Sequence, residues 1–188
     1  EYHYKKLAKD IVKGASDKEE ILKSIFEWVT KNIRSIPEDF PIVDDHPLNI
    51  IIRGYGTDDQ LADVFTILVG YYNLNGEWRV LKPQNKATRI LITIIWLDGK
   101  PIIFDLKNKN YFLNNFGHLA SLDDIEKDIS IVERADNKPD VRGTPYIEYF
   151  RNIASLRDVA GFTRAKKQFV GNRLKYEFKK AFINLMAK

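Results

Sequence analysis

The chain has 188 residues, which suits one domain, and at this length about 70% of the unfolded chain's surface can be buried on folding. Hydrophobic residues make up 44% and charged residues 30%, a balance typical of a soluble globular protein, and no apolar run approaches the ~20 residues needed to span a bilayer. The chain has no cysteine, which excludes disulfides, thiolate metal sites and thiol catalysis by its own residues.

The N-terminal third is predicted to be helical. Residues 2–13 favour a short helix, and Ser16 to Glu19 form a capping box before a second helix. Apolar residues at spacings of three and four then continue to about Arg34. Three prolines keep residues 35–48 irregular. The first residue is not Met, so we expect the natural N-terminus to be missing, which leaves open a removed signal or anchor.

A glycine-rich turn, residues 54–62, precedes the next predicted helix. Within the turn, Thr57 and Gln60 have the spacing of a second capping box. The apolar stripe that follows extends the helix to about Tyr71.

Three β-rich runs follow this helix, over residues 77–81, 89–97 and 101–106. The Asp-Gly pair at 98–99 is a strong two-residue hairpin signal between the last two runs. Because residues 90–95 are apolar nearly throughout, we expect this strand to be central and covered on both faces.

The C-terminal third is predicted to return to helix. A short helix starts at Ser121, residues 145–155 match neither pattern, and residues 162–187 form a long amphipathic helix. Residues 164–188 contain eight basic residues and one acidic residue, a net charge of +7, so the other residues together carry a net charge of −3. This basic face is either solvated or binds an anionic polymer, membrane or acidic protein. Its candidate contacts are Lys166, Lys167, Lys175 and Lys179.

The turn at residues 54–62 and the strands after it resemble the active-site region of the transglutaminase-like cysteine enzymes. In that family a Gly-x-Gly-x-Cys turn opens a helix whose first residue is the nucleophile, and here Asp58 occupies the cysteine position. The family continues with a His-bearing strand, an Asp-Gly hairpin and a strand that ends in Asp. The pair at 98–99 matches the hairpin and Asp105 matches the Asp, while counting back without a gap places Ile90 at the His position.

This resemblance covers about residues 5–115 and implies a papain-like transglutaminase core. We therefore predict one α+β domain over residues 1–188, with helices packed on an antiparallel sheet. The core occupies about 5–115, and a C-terminal helical extension occupies about 116–188. The resemblance also favours a prokaryotic setting, in the cell envelope or exported.

The family's chemistry needs three groups that act together. The helix N-terminus stabilises the thiolate, the His serves as base and acid, and the Asp orients the His. Because Asp58 and Ile90 replace the first two groups, Asp105 has no His to orient. The resemblance thus implies a catalytically inactive domain without cofactor or metal, kept to bind or scaffold a peptide, glycan or protein. Candidate binding residues are Tyr55, Asp58, Asp59, Trp96, Asp105 and His118.

Other interpretations stay open at this point. Asp58 and Asp105, helped by His118 or His46, would be the acid and base of an enzyme with altered chemistry. The basic C-terminal helix would make the chain a binder of anionic polymers. Asp58 could also be an engineered replacement of a Cys. The absence of the His at position 90 argues against this, because inactivating an enzyme rarely needs two substitutions. Each residue also has a structural reading, such as a carboxylate favoured in the first turn of a helix.

Overall fold

The computed structural model describes residues 2–37, 40–41, 46–84 and 86–163. The predicted basic helix and its four candidate lysines lie outside the described residues. In the described part, the helices are α1 (Tyr2–Ile11), α2 (Lys18–Asn32), α3 (Pro47–Arg53), α4 (Asp58–Gly70), α5 (Leu122–Lys127), α6 (Ser130–Glu133) and α7 (Tyr146–Phe150), followed by a 3-10 helix (Ile153–Arg157). The strands are β1 (Arg34–Ser35), β2 (Tyr55–Gly56), β3 (Asn75–Leu81), β4 (Ile90–Leu97), β5 (Lys100–Asp105) and β6 (Asn110–Tyr111).

The strands form two sheets. The larger is antiparallel with the order β3-β4-β5-β6, and the smaller pairs β1 with β2 in parallel. In the larger sheet Trp78 faces Thr93, Thr93 faces Phe104, and Phe104 faces Tyr111. The predicted α+β class, with helices packed on an antiparallel sheet, is confirmed.

Helices cover both faces of the larger sheet, because apolar residues occupy successive positions of β4. Ile95 and Leu97 pack with α1, α2 and α4 in the first core. Ile92 and Ile94 pack with α5, α6, α7 and the 3-10 helix in the second core. The predicted central position of this strand is confirmed. Residues beyond 115 thus supply the whole second covering layer.

An aromatic group joins α2 and α4 to the sheet in the first core. The ring of Phe104 on β5 lies 5.6 Å from that of Phe26 and 5.0 Å from that of Phe65, measured between centroids. Edge contacts of this kind add about 0.5–1.5 kcal/mol to the free energy from burial alone. They hold the helix that begins at Asp58 against the strand that ends at Asp105.

Two helix starts differ from the sequence prediction. The cap of α2 is Asp17, whose carboxylate accepts the Glu20 N–H, while the Glu20 carboxylate accepts the Ser16 N–H at 2.7 Å. The helix cap therefore lies one residue later than predicted, and the return bond from Glu20 reaches Ser16 rather than the cap residue itself. Pro47 and Leu48, the last residues of the stretch predicted to be irregular, begin α3 instead, and this helix ends at Gly54 with a φ of +71°.

Candidate functional site

Asp58 is the first residue of α4, as the glycine turn predicts. The Thr57 N–H donates to the Gln60 side-chain oxygen at 3.1 Å, which satisfies one of the free amides at the helix start. The Asp58 carboxylate accepts a hydrogen bond from Lys107 Nζ at 2.8 Å. Its side chain is 34% exposed and that of Lys107 is 51% exposed. The position that corresponds to a nucleophile therefore holds a partly solvated ion pair.

Asp105 ends β5 and is fully buried. Its Oδ1 accepts the Asn108 backbone N–H at 3.1 Å, and its Oδ2 accepts the Asn108 side-chain amide and the Tyr146 hydroxyl, both at 2.8 Å. Burial raises the pKa of Asp105 above its ordinary value, and the charge of Asp58 adds to this increase. The three hydrogen bonds act in the opposite direction because they favour the carboxylate.

Tyr146 and Asn110 continue this buried network. The Asn110 side-chain amide donates to the Tyr146 hydroxyl at 3.2 Å and to the Asn137 carbonyl at 2.5 Å. Burial and the neighbouring Asp105 both raise the pKa of Tyr146, so its hydroxyl stays protonated and remains a donor. The network ties the end of β5 and the start of β6 to α7 and to the loop that precedes it.

Ile90 lies at the start of β4 and belongs to the second core, with 6% of its surface exposed. Extending the β4–β5 register by one pair places Ile92 across from Asp105. Ile90 is two residues further along the same face of the sheet. Ile90 therefore faces the second core, as Asp105 does through its bond to Tyr146, whereas α4, which begins at Asp58, packs on the opposite face of the sheet in the first core.

The chain has three histidines, of which His3 lies in α1, while the interactions of His46 and His118 are with residues other than Asp58. His46 caps α3, and its Nδ1 lies 3.0 Å from the Tyr4 hydroxyl. His118 pairs with Glu19 in the first turn of α2, with 3.3 Å between nitrogen and oxygen. That turn lies at the β4–β5 hairpin, because the neighbouring Lys18 bonds Asp98. His118 is therefore at the opposite end of β5 from Asp105.

The remaining candidates are dispersed. Tyr55 in β2 packs edge-on against Phe40 at 5.4 Å and lies under the guanidinium of Arg53. Asp59 accepts the Thr57 hydroxyl, so it supports the start of α4. Trp96 is half-buried near the hairpin and faces the second core, away from Asp58. These placements leave the binding roles of the three residues as predictions.

Neither a metal-binding cluster nor a membrane-spanning helix occurs in the described ranges. No group of three His, Cys, Asp or Glu side chains there is arranged to hold a metal ion. In those same ranges, no helix combines the length and apolar character required to cross a membrane.

Sequence reasoning did not find Tyr146, Asn108 or Lys107. Lys107 and Asn108 directly follow the predicted end of the strand. Their position could therefore have indicated a turn that folds back on the Asp105 carboxylate. Tyr146 lies 41 residues from Asp105 in a segment without clear periodicity. No local pattern brings these two side chains together.

Comparison with known proteins adds two partial likenesses. No family model matches the chain, and no curated protein matches it. A structure described as a "putative protease" from Parabacteroides distasonis is similar with 18% identity and a TM-score of 0.45, over 55% of this chain and 23% of that one. A "putative cysteine protease" from Cytophaga hutchinsonii is similar with 15% identity and a TM-score of 0.49, over 63% of this chain and 40% of that one. The chain thus spans less than half the length of either protein.

Proposed function

We propose that this chain is a catalytically inactive transglutaminase-like domain, retained as a binding module for a peptide, glycan or protein partner. The Asp58–Lys107 ion pair carries this proposal, because it occupies the first residue of α4, where the family has its nucleophile. Loss of the nucleophile alone costs roughly 10⁴ to 10⁶ in turnover in enzymes of this kind.

The surroundings of Asp105 support the same proposal. In a triad the Asp must keep an oxygen available for the His that it orients. Here the Asp105 carboxylate accepts three hydrogen bonds from Asn108 and Tyr146 and is fully buried. The carboxyl group therefore has a structural task, and Ile90, further along the same face of the sheet, supplies no base.

Retention of the scaffold supports a binding role. The helix that begins at Asp58 and the strand that ends at Asp105 are held together by the first core. A domain that keeps this packing after losing its nucleophile and base still offers a rigid surface to a partner. Binding sites are often built on such rigid elements.

The experiment compares the wild-type chain with Asp58→Ala in assays of amine incorporation into casein and of peptide hydrolysis. We expect no turnover above the buffer blank from either protein, with an active transglutaminase as the positive control. Asp10→Ala, at an exposed position of α1, is the matched surface variant. Turnover by the wild type that Asp58→Ala abolishes and Asp10→Ala preserves would overturn the proposal in favour of altered acid–base chemistry.

A further inference from the structure

A cleft of about 350 Å³ lies along β6, the last strand of the larger sheet. Residues 109–114 line one side as a continuous stretch of the chain. The other side is formed by the end of α6 and the residues after it, among them Ile131, Arg134 and Asp136. The cleft therefore runs between an edge strand and a helix end.

The direction of the backbone groups in this run follows from two hydrogen bonds. The Phe112 carbonyl accepts the Ala120 N–H at 2.8 Å, and the Asn114 N–H donates to the His118 carbonyl at 2.9 Å. Both bonds belong to the pairing of residue 113 with residue 119. Phe112 and Asn114 thus direct their backbone N–H and C=O groups toward residues 118–120.

Backbone N–H and C=O groups alternate from side to side along a strand. Tyr111 and Leu113 therefore direct theirs toward the opposite side, which is the cleft. Among the described residues, no backbone hydrogen bond joins 109–114 to 131–136 across this space. An edge of this kind is a template for pairing with another strand.

The two walls of the cleft are tied together at both ends. At one end the Asn110 side chain bonds both the carbonyl and the N–H of Asn137, at 2.5 Å and 3.3 Å. At the other end the Arg134 guanidinium donates across the cleft to Asn115 at 2.9 Å and is held in place by Ser130 of its own helix, also at 2.9 Å. A preformed opening of this kind reduces the free energy lost to ordering when a ligand binds.

The chemistry of the lining points to one kind of ligand. Leu113 is 38% exposed and offers an apolar contact from the strand side, whereas Ile131 on the facing wall is only 3% exposed. Lys109 and Arg134 contribute two positive charges against the single negative charge of Asp136. An acidic side chain on the ligand would complement this excess.

We propose that the cleft binds an extended peptide with alternating apolar and acidic residues, which adds a strand to β6 through the backbone groups of Tyr111 and Leu113. Main-chain hydrogen bonds supply affinity in this mode, and side-chain pockets supply specificity. The inference rests on the proposed binding role, since it names the ligand class of that module. The site itself contains neither Asp58 nor Lys107.

The test begins with a random decapeptide library displayed on phage. The library is selected on the wild-type chain and counter-selected on Leu113→Pro. Proline removes an N–H that points into the cleft and breaks no hydrogen bond described within the domain. Leu113→Ala is the matched control because it shortens the side chain and keeps the N–H. The peptides recovered are then synthesised, labelled and measured by fluorescence anisotropy.

We expect recovered peptides to have apolar residues at every second position together with at least one Asp or Glu. Their affinity should fall about tenfold or more in Leu113→Pro, the effect of losing about one hydrogen bond to a buried ligand, and less in Leu113→Ala. Lys109→Glu should also weaken binding, most strongly at low salt. Each peptide is also made with one or the other of its two alternating sets of amides N-methylated. Methylation of the set that faces β6 should abolish binding to the wild type, and this measurement needs no folded variant.

The inference is overturned if no peptide sensitive to Leu113→Pro is recovered, or if the N-methylated peptides bind as well as their parents. Neither result would contradict the proposal that the chain is catalytically inactive, because that proposal is tested by the turnover assays of the wild type and Asp58→Ala. Turnover by the wild-type chain would overturn the latter proposal without affecting the peptide measurements.

Discussion

Asp58 and Asp105 are both aspartates, and both lie at positions that correspond to catalytic residues in the transglutaminase-like pattern. Their environments are nevertheless opposite. Asp58 lies partly in solvent and pairs with the flexible, half-exposed Lys107. Asp105 is fully buried and accepts three hydrogen bonds from Asn108 and Tyr146. One carboxylate is thus a surface charge, and the other is part of the core.

The difference teaches that burial decides how much each carboxylate contributes to the stability of the fold. An exposed ion pair adds at most about 1 kcal/mol to stability, so Asp58 is free to vary without loss of the fold. A buried acceptor that satisfies three donors is tied to stability, because removing it leaves those donors unpaired. Asp105 is therefore expected to matter for folding whether or not it ever acts in chemistry.

Asp105→Ala should have the largest effect. It leaves the Asn108 N–H, the Asn108 amide and the Tyr146 hydroxyl without their acceptor in the interior. We expect a loss of about 3 kcal/mol or more in the free energy of unfolding, measured by urea denaturation. Asp58→Ala is the matched carboxylate control and should lose less than about 1 kcal/mol. Equal losses in the two variants would remove the contrast between the two environments.

Tyr146→Phe should come next. The ring remains in the second core while Asp105 loses one donor and Asn110 loses one acceptor. We expect a loss of about 1–2 kcal/mol by the same urea measurement. A double-mutant cycle with Asp105→Asn should show coupling between the two positions. Strictly additive effects would mean that the hydroxyl contributes nothing through Asp105.

The pH dependence of stability sharpens the contrast further. The pKa of Asp105 is raised in the folded state above its ordinary value of 3.8, chiefly by burial. Its contribution to stability is therefore complete below pH 3.8 and is lost as the pH rises through the folded-state pKa. The free energy of unfolding of the wild type, relative to that of Asp105→Asn, should therefore fall between about pH 3.5 and neutral pH. The Asp105 carboxyl group ionises at a higher pH in the folded than in the unfolded chain over this range. A difference that grows with pH would show that the hydrogen bonds outweigh burial.

Lys107→Ala should have the smallest effect. It breaks the ion pair with Asp58 at a partly solvated position, so we expect a loss below about 1 kcal/mol that shrinks further in 1 M salt. Thermal unfolding at low and high salt measures this directly. A large loss that does not depend on salt would mean that Lys107 has a packing role.

The sequence predicted those parts of the fold and the site that local signals specify. The start of α4 follows from Thr57 and Gln60, and the turn of the β4–β5 hairpin from residues 98–99. The helix α3 was missed although His46 caps it and Pro47 fills its first turn, because the prolines nearby favoured an irregular interpretation. The pairing of Tyr146 with Asp105 depends on how α7 docks against the sheet, which no local pattern specifies.

The most direct test of the central claim is the single variant Asp58→Cys, assayed for alkylation and for turnover together. A thiol at the N-terminus of α4 beside Lys107 should have a lowered pKa and should react with iodoacetamide. Because Ile90 supplies no base and the Asp105 carboxylate is engaged by Asn108 and Tyr146, we predict alkylation with amine transfer and peptide cleavage at the buffer level. Turnover by this variant would show that a base already acts beside α4 and would contradict the account.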